Sequence, residues 1–214
     1  MLIETGNNDM AHPKIFLLGA GGHAKVVFDA IQKLGLSVAG IINPSSDINP
    51  FFADIQVCGG DEMMDSLDPK VHIIANGLGA TPKNLLNKKV SLSWMARGFK
   101  FLTIVHPTTI IGRHVNFGEG CQVMAGCTLQ SDISVGVGVV INTASNIDHD
   151  CKIGNHTFIS PSVVICGGVE VGQDCFVGAG AILLPGVKLG NGVLVAAGAV
   201  VDRDVPSFGF MDRN

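Results

Sequence analysis

An unbroken repeat of six residues dominates the second half of the chain. Every sixth residue from Val105 to Val201 is apolar, and nearly all of these residues are branched. The residues four positions further on, from Thr109 to Ala199, are mostly small and apolar. A helix cannot bury a period of six on one face, and a simple strand alternates by two. The pattern therefore predicts a repetitive architecture built from short stacked segments.

Glycines add a longer period to the hexads. They follow branched positions at intervals of eighteen residues, at Gly118, Gly136, Gly154, Gly172 and Gly190. Eighteen is three sixes, so the repeat predicts a three-sided prism with one hexad per side. About five to six coils would stack at the strand spacing of about 4.8 Å. We expect these glycines at the corners, where they would tolerate unusual backbone angles.

The first half of the chain alternates predicted strands and helices. Apolar strands are predicted at "KIFLLGAGG", "SVAGIIN", "VHIIANG" and "KFLTIV". The predicted helices are "HAKVVFDAIQKLG", ended by Gly35, and "PKNLLNKKVSLSWMARG", which begins with proline. Strands that alternate with helices indicate a parallel α/β sheet. The sequence thus predicts a flexible leader over residues 1–13, an α/β domain over 14–104, a repeat domain over 105–206 and a C-terminal tail over 207–214.

Composition limits the partners and the location. The 214 residues carry a formal net charge of -4 and no Lys/Arg cluster, which opposes binding to nucleic acid or to an anionic membrane. No unbroken apolar run reaches the roughly 18 residues that suggest a membrane span. The N-terminus lacks the pattern of a secretory signal, so we expect a cytoplasmic protein with reduced thiols. Four cysteines fall in the small inward column and are expected core residues: Cys121, Cys127, Cys151 and Cys175.

A histidine between two aspartates interrupts the apolar repeat. Asp148, His149 and Asp150 lie between Ile147 and Cys151, which the repeat assigns to the core. A histidine suits general-base catalysis because its pKa lies near working pH, and a neighbouring carboxylate can orient the ring and raise its basicity. A metal ligand and a polar residue on a solvated edge are the alternatives. The spacing alone leaves the direction of the side chain open.

A second candidate site follows the first predicted strand. The glycines of "GAGGHA" let the backbone approach a phosphate, and the N-terminus of the following helix favours an anion. Taken alone, the pattern suggests a dinucleotide site. Two features oppose NAD: the second strand ends at Asn43 and not at an acid, and the α/β region is too short for two mononucleotide-binding halves.

The hexads resemble the left-handed parallel β-helix of the acyltransferase superfamily, and the left hand follows from that resemblance. Together with "FLLGAGGHAKVVFDAIQKLG", "VHPTTIIG" and "INTASNIDHDCKIG", they resemble the bacterial nucleotide-sugar acetyltransferase family over nearly all of residues 14–204. That family includes sialic-acid O-acetyltransferases and N-acetyltransferases acting on UDP- or GDP-linked 4-amino-4,6-dideoxy sugars. The resemblance implies a homotrimer without metal that uses acetyl-CoA to acetylate a nucleotide sugar, with a UDP-linked bacillosamine-type acceptor favoured and GDP-perosamine possible.

The resemblance also implies roles for individual residues. It makes His149 the general base, Asp150 the partner of that base, and Gly167 a backbone N–H donor to the thioester carbonyl. The implied contacts to the nucleotide sugar are Gly21, Gly22, His23, Asn43, Gly77 and Asn142. The implied contacts to acetyl-CoA are Phe158, Gly167, Ala179 and Ala197.

Two positions depart from the family pattern. The family often has a second histidine nine residues after the base, where this chain has Phe158, while His156 lies off that register. Relatives commonly end in a G-x-P-A-K/R segment near the CoA phosphates, whereas this chain ends "VPSFGFMDRN". The basic contact to CoA would then come from elsewhere, for example Lys188.

Several alternatives stay open on the sequence. The trimer surface is expected on a flat prism face that includes Val137, Val140 and Val164. Sialic-acid O-acetylation is the second function within the family. A zinc lyase like the γ-class carbonic anhydrases would need three histidines per metal. A protein that binds nucleotide sugars without turnover is the remaining alternative.

Overall fold

The chain forms two compact units, one up to Thr103 and one from Ile104. The computed structural model describes residues 13–82 and 86–213. The leader predicted over residues 1–13 therefore lies almost wholly outside the described residues. The predicted fold class, an α/β region followed by a left-handed parallel β-helix, is confirmed.

In its described residues, the first unit is a five-stranded parallel sheet with two α-helices. The strands are β1 (Lys14–Leu18), β2 (Val38–Ile42), β3 (Val57–Gly59), β4 (His72–Asn76) and β5 (Lys100–Phe101). The helices are α1 (Gly22–Lys33) and α2 (Leu86–Ala96), with short 3-10 helices at Pro50–Phe52 and Asp61–Asp65. The sheet order is β3-β2-β1-β4-β5, and every pair is parallel. The chain thus moves outward from β1 in one direction and then in the other, which places a topological switch point beside β1.

Helix α1 buries one apolar face. Its buried side chains include Val27, Phe28 and Ile31, at the spacing of one helical face. Gly35 ends the helix as predicted, with φ +73°, and the Leu36 N–H donates to the Ile31 carbonyl at 3.1 Å. A left-handed glycine with this hydrogen bond is a common way to terminate a helix.

The second unit is a three-sided prism of two-residue strands. Face 1 consists of β7 (Ile110–Ile111), β10 (Thr128–Leu129), β13 (Asn146–Ile147), β16 (Val164–Ile165), β19 (Ile182–Leu183) and β22 (Val200–Val201). Face 2 consists of β8 (Asn116–Phe117), β11 (Ser134–Val135), β14 (Lys152–Ile153), β17 (Glu170–Val171) and β20 (Lys188–Leu189). Face 3 consists of β6 (Ile104–Val105), β9 (Gln122–Val123), β12 (Val140–Ile141), β15 (Phe158–Ile159), β18 (Phe176–Val177), β21 (Leu194–Val195) and β23 (Phe210–Met211). We call the turns between faces corner 1–2, corner 2–3 and corner 3–1.

Both predicted columns fill the interior of the prism. Ile147, Ile165 and Val177 are almost completely buried, as are the cysteines of the small column. Full burial of one such branched side chain contributes about 1.5–3 kcal/mol. Burial raises the pKa of the Cys121 thiol to about 11, as expected for an inert core residue. Ile111 departs from the pattern at 38% exposure, because β7 is the end strand of face 1 among the described residues.

The eighteen-residue glycines have a different role from the predicted one. Gly118, Gly136 and Gly154 do not adopt positive φ; the left-handed residues lie two positions later, for example Gly138 and His156. A Cβ at Gly118 or Gly154 would come within about 2.6 Å of the backbone of the next coil. The expectation of unusual backbone angles at these glycines was therefore wrong. They are needed because stacked backbones leave no room for a side chain at this point.

The β-helix extends beyond the end predicted at residue 206. Leu189 pairs with Val205 and not with the residue at 207, so the last coil is shorter than the repeat. Strand β23 then pairs with β21, and Met211 fills the core position beside Val195. Because the period breaks in this coil, the hexad pattern could not predict it, and the segment expected to be a tail is part of the prism.

The strand predicted at "KFLTIV" is divided between the two units. Lys100–Phe101 pairs with β4 in the α/β sheet, whereas Ile104–Val105 pairs with β9 in the β-helix. The intervening residues carry the chain from one unit to the other.

Candidate active site

His149 lies on corner 1–2, immediately after β13. The neighbouring core residues Ile147 and Cys151 anchor both ends of the turn. Asp150 takes the left-handed conformation, with φ 60°, and the Asp148 carboxylate accepts a hydrogen bond from the His149 N–H at 2.9 Å. Aspartate suits both positions because its short side chain tolerates left-handed backbone and bonds to nearby backbone groups. The turn therefore projects His149 away from the core, with 61% of its side chain exposed.

His149 and Asp150 form a close pair. The His149 Nδ1 lies 2.7 Å from the Asp150 Oδ2. The hydrogen bond to Asp150 raises the pKa of His149, and the nearby charge of Asp148 raises it further. With a proton on Nδ1 directed at the carboxylate, the neutral ring presents Nε2 as a proton acceptor. The geometry suits a general base whose orientation and basicity are set by Asp150.

The ring of His149 packs directly on Gly167 in the next coil. A Cβ built at Gly167 would lie 2.7 Å from the ring carbon Cε1 and 2.8 Å from Nε2. The His149 carbonyl accepts a hydrogen bond from the Gly168 N–H at 2.9 Å. Among the described residues, the Gly167 N–H donates no backbone hydrogen bond. Gly167 is a half-buried residue beside the candidate base, which suits the predicted donor to an oxyanion.

A cavity adjoins this corner on the outer surface of face 1. Its volume is about 250 Å³, and its polar lining comprises Thr128, Gln130, Asn146 and Asp148. Val164 and Cys166 supply an apolar wall. Hydroxyl, amide and carboxylate groups beside apolar surface can recognise a small polar molecule such as a deoxy sugar.

Phe158 and His156 lie away from corner 1–2. His156 occupies the left-handed position of corner 2–3, with φ 56°. Phe158 is on face 3, where it is 9% exposed and stacks on Phe176 with ring centroids 5.4 Å apart. The structure does not bring either residue to the turn that carries His149. The acetyl-CoA contact at Phe158 stays a prediction.

Corner 3–1 carries Asn142, Ala179 and Ala197. The Asn142 Oδ1 accepts the Thr143 N–H at 2.8 Å, which gives this side chain a role in its own turn. Ala179 is exposed and Ala197 half-exposed, so a ligand could approach both. Their contacts to substrate and acetyl-CoA stay predictions.

Arg213 brings positive charge to corner 3–1. Its Nε donates to the Ala197 carbonyl, directly after the last strand of face 3. Lys188, the alternative considered from the sequence, lies instead on face 2, with its Nζ 3.4 Å from Glu170. Arg213 was not recognised from the sequence because only the pairing of β23 reveals its position.

The glycine loop of the first unit lies at the carboxyl edge of the sheet. Gly21 and Gly22 are exposed, and a Cβ at either would meet no described atom within 4 Å. Packing within the described residues therefore does not require these glycines, whereas close approach of a ligand would explain them. Helix α1 begins at Gly22 with no acidic residue in its first turn and no side-chain cap. Its first N–H groups can receive an anion, and His23 lies among them.

Asn43 and Gly77 differ in accessibility. Asn43 follows β2 and lines a cavity of about 210 Å³ at the sheet edge. Gly77 follows β4 and is buried, and its N–H donates to the Leu18 carbonyl at 2.9 Å. A Cβ there would come within 2.8 Å of Ala24. Close packing of β4 against β1 and α1 thus accounts for Gly77, and its contact to the nucleotide stays a prediction.

The three valines expected on one association face do not share a face. Val137 is on corner 2–3, Val140 on face 3 and Val164 on face 1, and Val140 is buried within the chain. The exposed apolar column is instead on face 1, where Ile110, Val164, Ile182 and Val200 point outward. The period of six identified the inward residues. It did not show which outward residues other parts of the chain bury.

Within residues 13–82 and 86–213, no three His, Cys, Asp or Glu side chains are grouped so that they could hold a metal ion. None of the helices in this described part is long and apolar enough to cross a bilayer.

Three family models match the chain. The PglD N-terminal domain matches residues 14–88, which cover most of the α/β unit. The bacterial transferase hexapeptide (six repeats) matches residues 150–185, and the hexapeptide repeat of succinyl-transferase matches residues 168–203. No curated protein matches the chain in sequence comparison.

Solved structures resemble the chain over nearly its whole length. PerB of Caulobacter crescentus, crystallised with CoA and GDP-perosamine, is 32% identical, with a TM-score of 0.84 and coverage of 93% of each chain. The acetyltransferase domain of PglB from Neisseria gonorrhoeae is 28% identical, with a TM-score of 0.83, and the match covers 94% of this chain and 97% of that one. WeeI of Acinetobacter baumannii is 22% identical at a TM-score of 0.80, covers 92% of this chain and 95% of its own, and supports the fold alone.

The chain belongs to the bacterial nucleotide-sugar acetyltransferases that join a PglD-type N-terminal domain to a hexapeptide β-helix. The predicted family and the predicted class of enzyme, an acetyltransferase, are confirmed.

Proposed function

We propose that the protein transfers the acetyl group of acetyl-CoA to the 4-amino group of a nucleotide-linked 4-amino-4,6-dideoxy sugar. The observation that carries the proposal is the His149–Asp150 pair, 2.7 Å apart and held against Gly167 on the β-helix. The co-substrate is acetyl-CoA, which is bound in a structure of the Neisseria relative. The GDP-perosamine bound to the Caulobacter relative supports an amino-sugar acceptor.

The proposed reaction is direct attack on the thioester. The neutral amine forms a C–N bond to the acetyl carbonyl carbon, and His149 Nε2 accepts the proton that the amine loses. The Gly167 N–H stabilises the oxyanion of the tetrahedral intermediate. The C–S bond then breaks, and the imidazolium returns its proton to the CoA thiolate. The products are an acetamido sugar nucleotide and CoA with a free thiol.

The α/β unit offers an anion-binding surface. The N–H groups at the start of α1, at Gly21, Gly22 and His23, would receive the pyrophosphate of the nucleotide sugar, since the helix dipole favours negative charge there. On the β-helix unit, the cavity that adjoins corner 1–2 suits a sugar ring, with Thr128 and Asn146 available to its hydroxyl groups.

A homotrimer completes the proposed site. The exposed apolar residues of face 1 outside the cavity, Ile110, Ile182 and Val200, would be covered by neighbouring subunits, since such a patch is rarely left to solvent. Corner 3–1 of one subunit would then supply Asn142, Ala179 and Ala197 beside His149 of another. Sedimentation equilibrium at micromolar concentration should give three times the chain mass, and a monomer would contradict the shared site.

Arg213 is the proposed contact to the CoA 3′-phosphate. Arg213→Ala should raise the KM for acetyl-CoA by about tenfold and leave kcat unchanged, because a charge-assisted hydrogen bond to phosphate is worth about 1.5–3 kcal/mol and the group is exposed. With acetyl-dephospho-CoA, which lacks that phosphate, wild type and variant should have the same KM. Arg203→Ala is the matched control, since Arg203 pairs with Asp202 on another corner. If Arg213→Ala raised the KM equally for acetyl-CoA and acetyl-dephospho-CoA, Arg213 would not be the contact to the 3′-phosphate.

Asp150 should set the pH range in which the enzyme works. Because Asp150 raises the pKa of His149, the base becomes available only above that raised value. Asp150→Asn should therefore move the acidic limb of kcat/KM to lower pH, and should lower the plateau by about tenfold because the base is weaker and less well oriented. Asp132→Asn removes a similar pair, His114–Asp132 at 3.0 Å, one coil earlier and should leave the limb in place. If the acidic limb of Asp150→Asn moved to higher pH, Asp150 could not be the group that raises the pKa of the base.

Product analysis tests the proposed function. Incubation with acetyl-CoA and a nucleotide-linked 4-amino-4,6-dideoxy sugar should give a product carrying one acetyl group, located on N4 by NMR. An acetyl ester on a sialic acid, with the amino sugar left unchanged, would favour O-acetylation instead. The N-acetyltransferase reading is preferred because the Caulobacter relative is a perosamine N-acetyltransferase.

A further inference from the structure

A cavity of about 210 Å³ opens at the carboxyl edge of the α/β sheet. Its walls are largely apolar, contributed by Leu18, Ile42, Leu78, Leu86 and Val90. Asn43 and Asp61 are the polar side chains of its lining among the described residues. Apolar walls with a few polar groups suit a hydrogen-bonding ligand with apolar faces, such as a nucleobase.

The strand order assigns the parts of a nucleotide to positions along this edge. The phosphate-binding loop follows β1, Asn43 follows β2, and Asp61 follows β3, at the outer side of the order β3-β2-β1. A nucleotide whose phosphates lie at the start of α1 would extend outward past Asn43 with its ribose and reach Asp61 with its base. This reading rests on the proposed function, since it takes the ligand to be a nucleotide sugar.

The polar side chain at the base position is the Asp61 carboxylate, which is an acceptor. Asn43, at the ribose position, donates one N–H to the Ser45 carbonyl at 2.8 Å and keeps its oxygen and its second N–H for a ligand. The neighbouring Glu62 lies outside the cavity lining, and its carboxylate accepts the Gly60 N–H at 2.7 Å. In the part of the chain that the structure describes, the Asp61 carboxylate takes part in no hydrogen bond or ion pair. An exposed carboxylate on the rim of an apolar cavity calls for a ligand with donors.

We infer that the cavity selects guanine and that Asp61 is the specificity-determining residue. Guanine presents two adjacent donors, its ring N1–H and its exocyclic 2-amino group, which a carboxylate can accept together. Uracil presents a single N–H between two carbonyl oxygens, and these oxygens would be repelled by the carboxylate. The acceptor is therefore a GDP-linked amino sugar, which reverses the preference for UDP that the family resemblance implies.

The test compares GDP with inosine diphosphate, which lacks only the 2-amino group. Binding is measured by calorimetry on the full chain. The wild type should bind GDP about tenfold more tightly than IDP and more tightly than UDP, because a bidentate pair contributes about 1–3 kcal/mol of discrimination. Asp61→Asn should weaken the binding of GDP by about tenfold and should weaken the binding of IDP much less. Asp65→Asn is the matched control, because Asp65 lies in the same 3-10 helix and pairs with Arg97.

Each other result contradicts the inference in a different way. If Asp61→Asn lost the same affinity for GDP, IDP and UDP, the carboxylate would bind the ribose and not the base. Tighter binding of UDP than GDP by the wild type would assign the cavity to uracil and leave the proposed acetyl transfer intact. No binding of any nucleoside diphosphate or nucleotide sugar would overturn the proposed function itself.

Discussion

Replacing His149 with asparagine should lower kcat for acetyl transfer by at least about a hundredfold. General-base catalysis contributes about 10²–10⁴-fold, and asparagine keeps the polarity and approximate size of the side chain but cannot take up the proton. The turn itself should persist, because Ile147 and Cys151 anchor it and His149 makes no core contact. Thiol release from acetyl-CoA under saturating nucleotide sugar measures the effect.

Two controls separate chemistry from folding in this variant. The melting temperature and the affinity for the nucleotide sugar should match those of the wild type. His114→Asn disrupts a similar exposed histidine–aspartate pair on corner 1–2 and should leave kcat unchanged. A loss of less than tenfold in His149→Asn would show that the proton is taken by another group or by water.

Substituting Gly167 with alanine should also reduce kcat by about a hundredfold. The new methyl group would lie 2.7 Å from the ring carbon Cε1 of His149, so the ring must move away from Asp150. A displacement of about 1 Å in a catalytic group can cost about 10²-fold. Alanine retains the backbone N–H, so the loss would come from the displaced base and not from a missing oxyanion donor. Gly167 does not adopt positive φ, and the backbone should therefore accept alanine.

The double variant His149→Asn with Gly167→Ala tests this explanation. If the methyl group acts through the ring, it should cause little further loss once the imidazole has gone, and the two effects should be strongly non-additive. Additive losses would mean that Gly167 affects the reaction independently of His149. Gly168→Ala is a useful comparison, because Gly168 has φ +70° and no neighbour within 4 Å of its Cβ position. Gly168→Ala should lower the free energy of unfolding, because its left-handed backbone favours glycine, and its effect on kcat should be small by comparison.

The sequence predicted the prism because its core repeats without a gap. Burial of Ile147, Ile165 and Val177 at every sixth position requires three faces of equal length, so few other folds satisfy the pattern. The same pattern failed at the last coil, where Leu189 pairs with Val205 and the register shortens. It also gave the wrong reason for Gly118 and its equivalents, since a repeat reveals where glycine is required but not which clash requires it.

The candidate site was only partly predictable. His149 and Asp150 were identified because they interrupt an apolar repeat and match a family motif, yet their direction depends on the left-handed backbone of Asp150. No local feature of the sequence marked Asp61 or Arg213 as a candidate site residue. The first is brought beside Asn43 by the pairing of β3 with β2, and the second reaches Ala197 through the pairing of β23 with β21.

The most direct measurement of the central claim is the rate of thiol release from acetyl-CoA with two matched acceptors. One is a nucleotide sugar with an amine at C4, and the other is the same nucleotide sugar with a hydroxyl group at C4. The proposed N-acetyl transfer predicts rapid release with the amine and not with the hydroxyl group, and the general-base role of His149 predicts a rate with the amine that is at least about a hundredfold lower in His149→Asn. Equal release with both acceptors, or full activity of the variant with the amine, would contradict it.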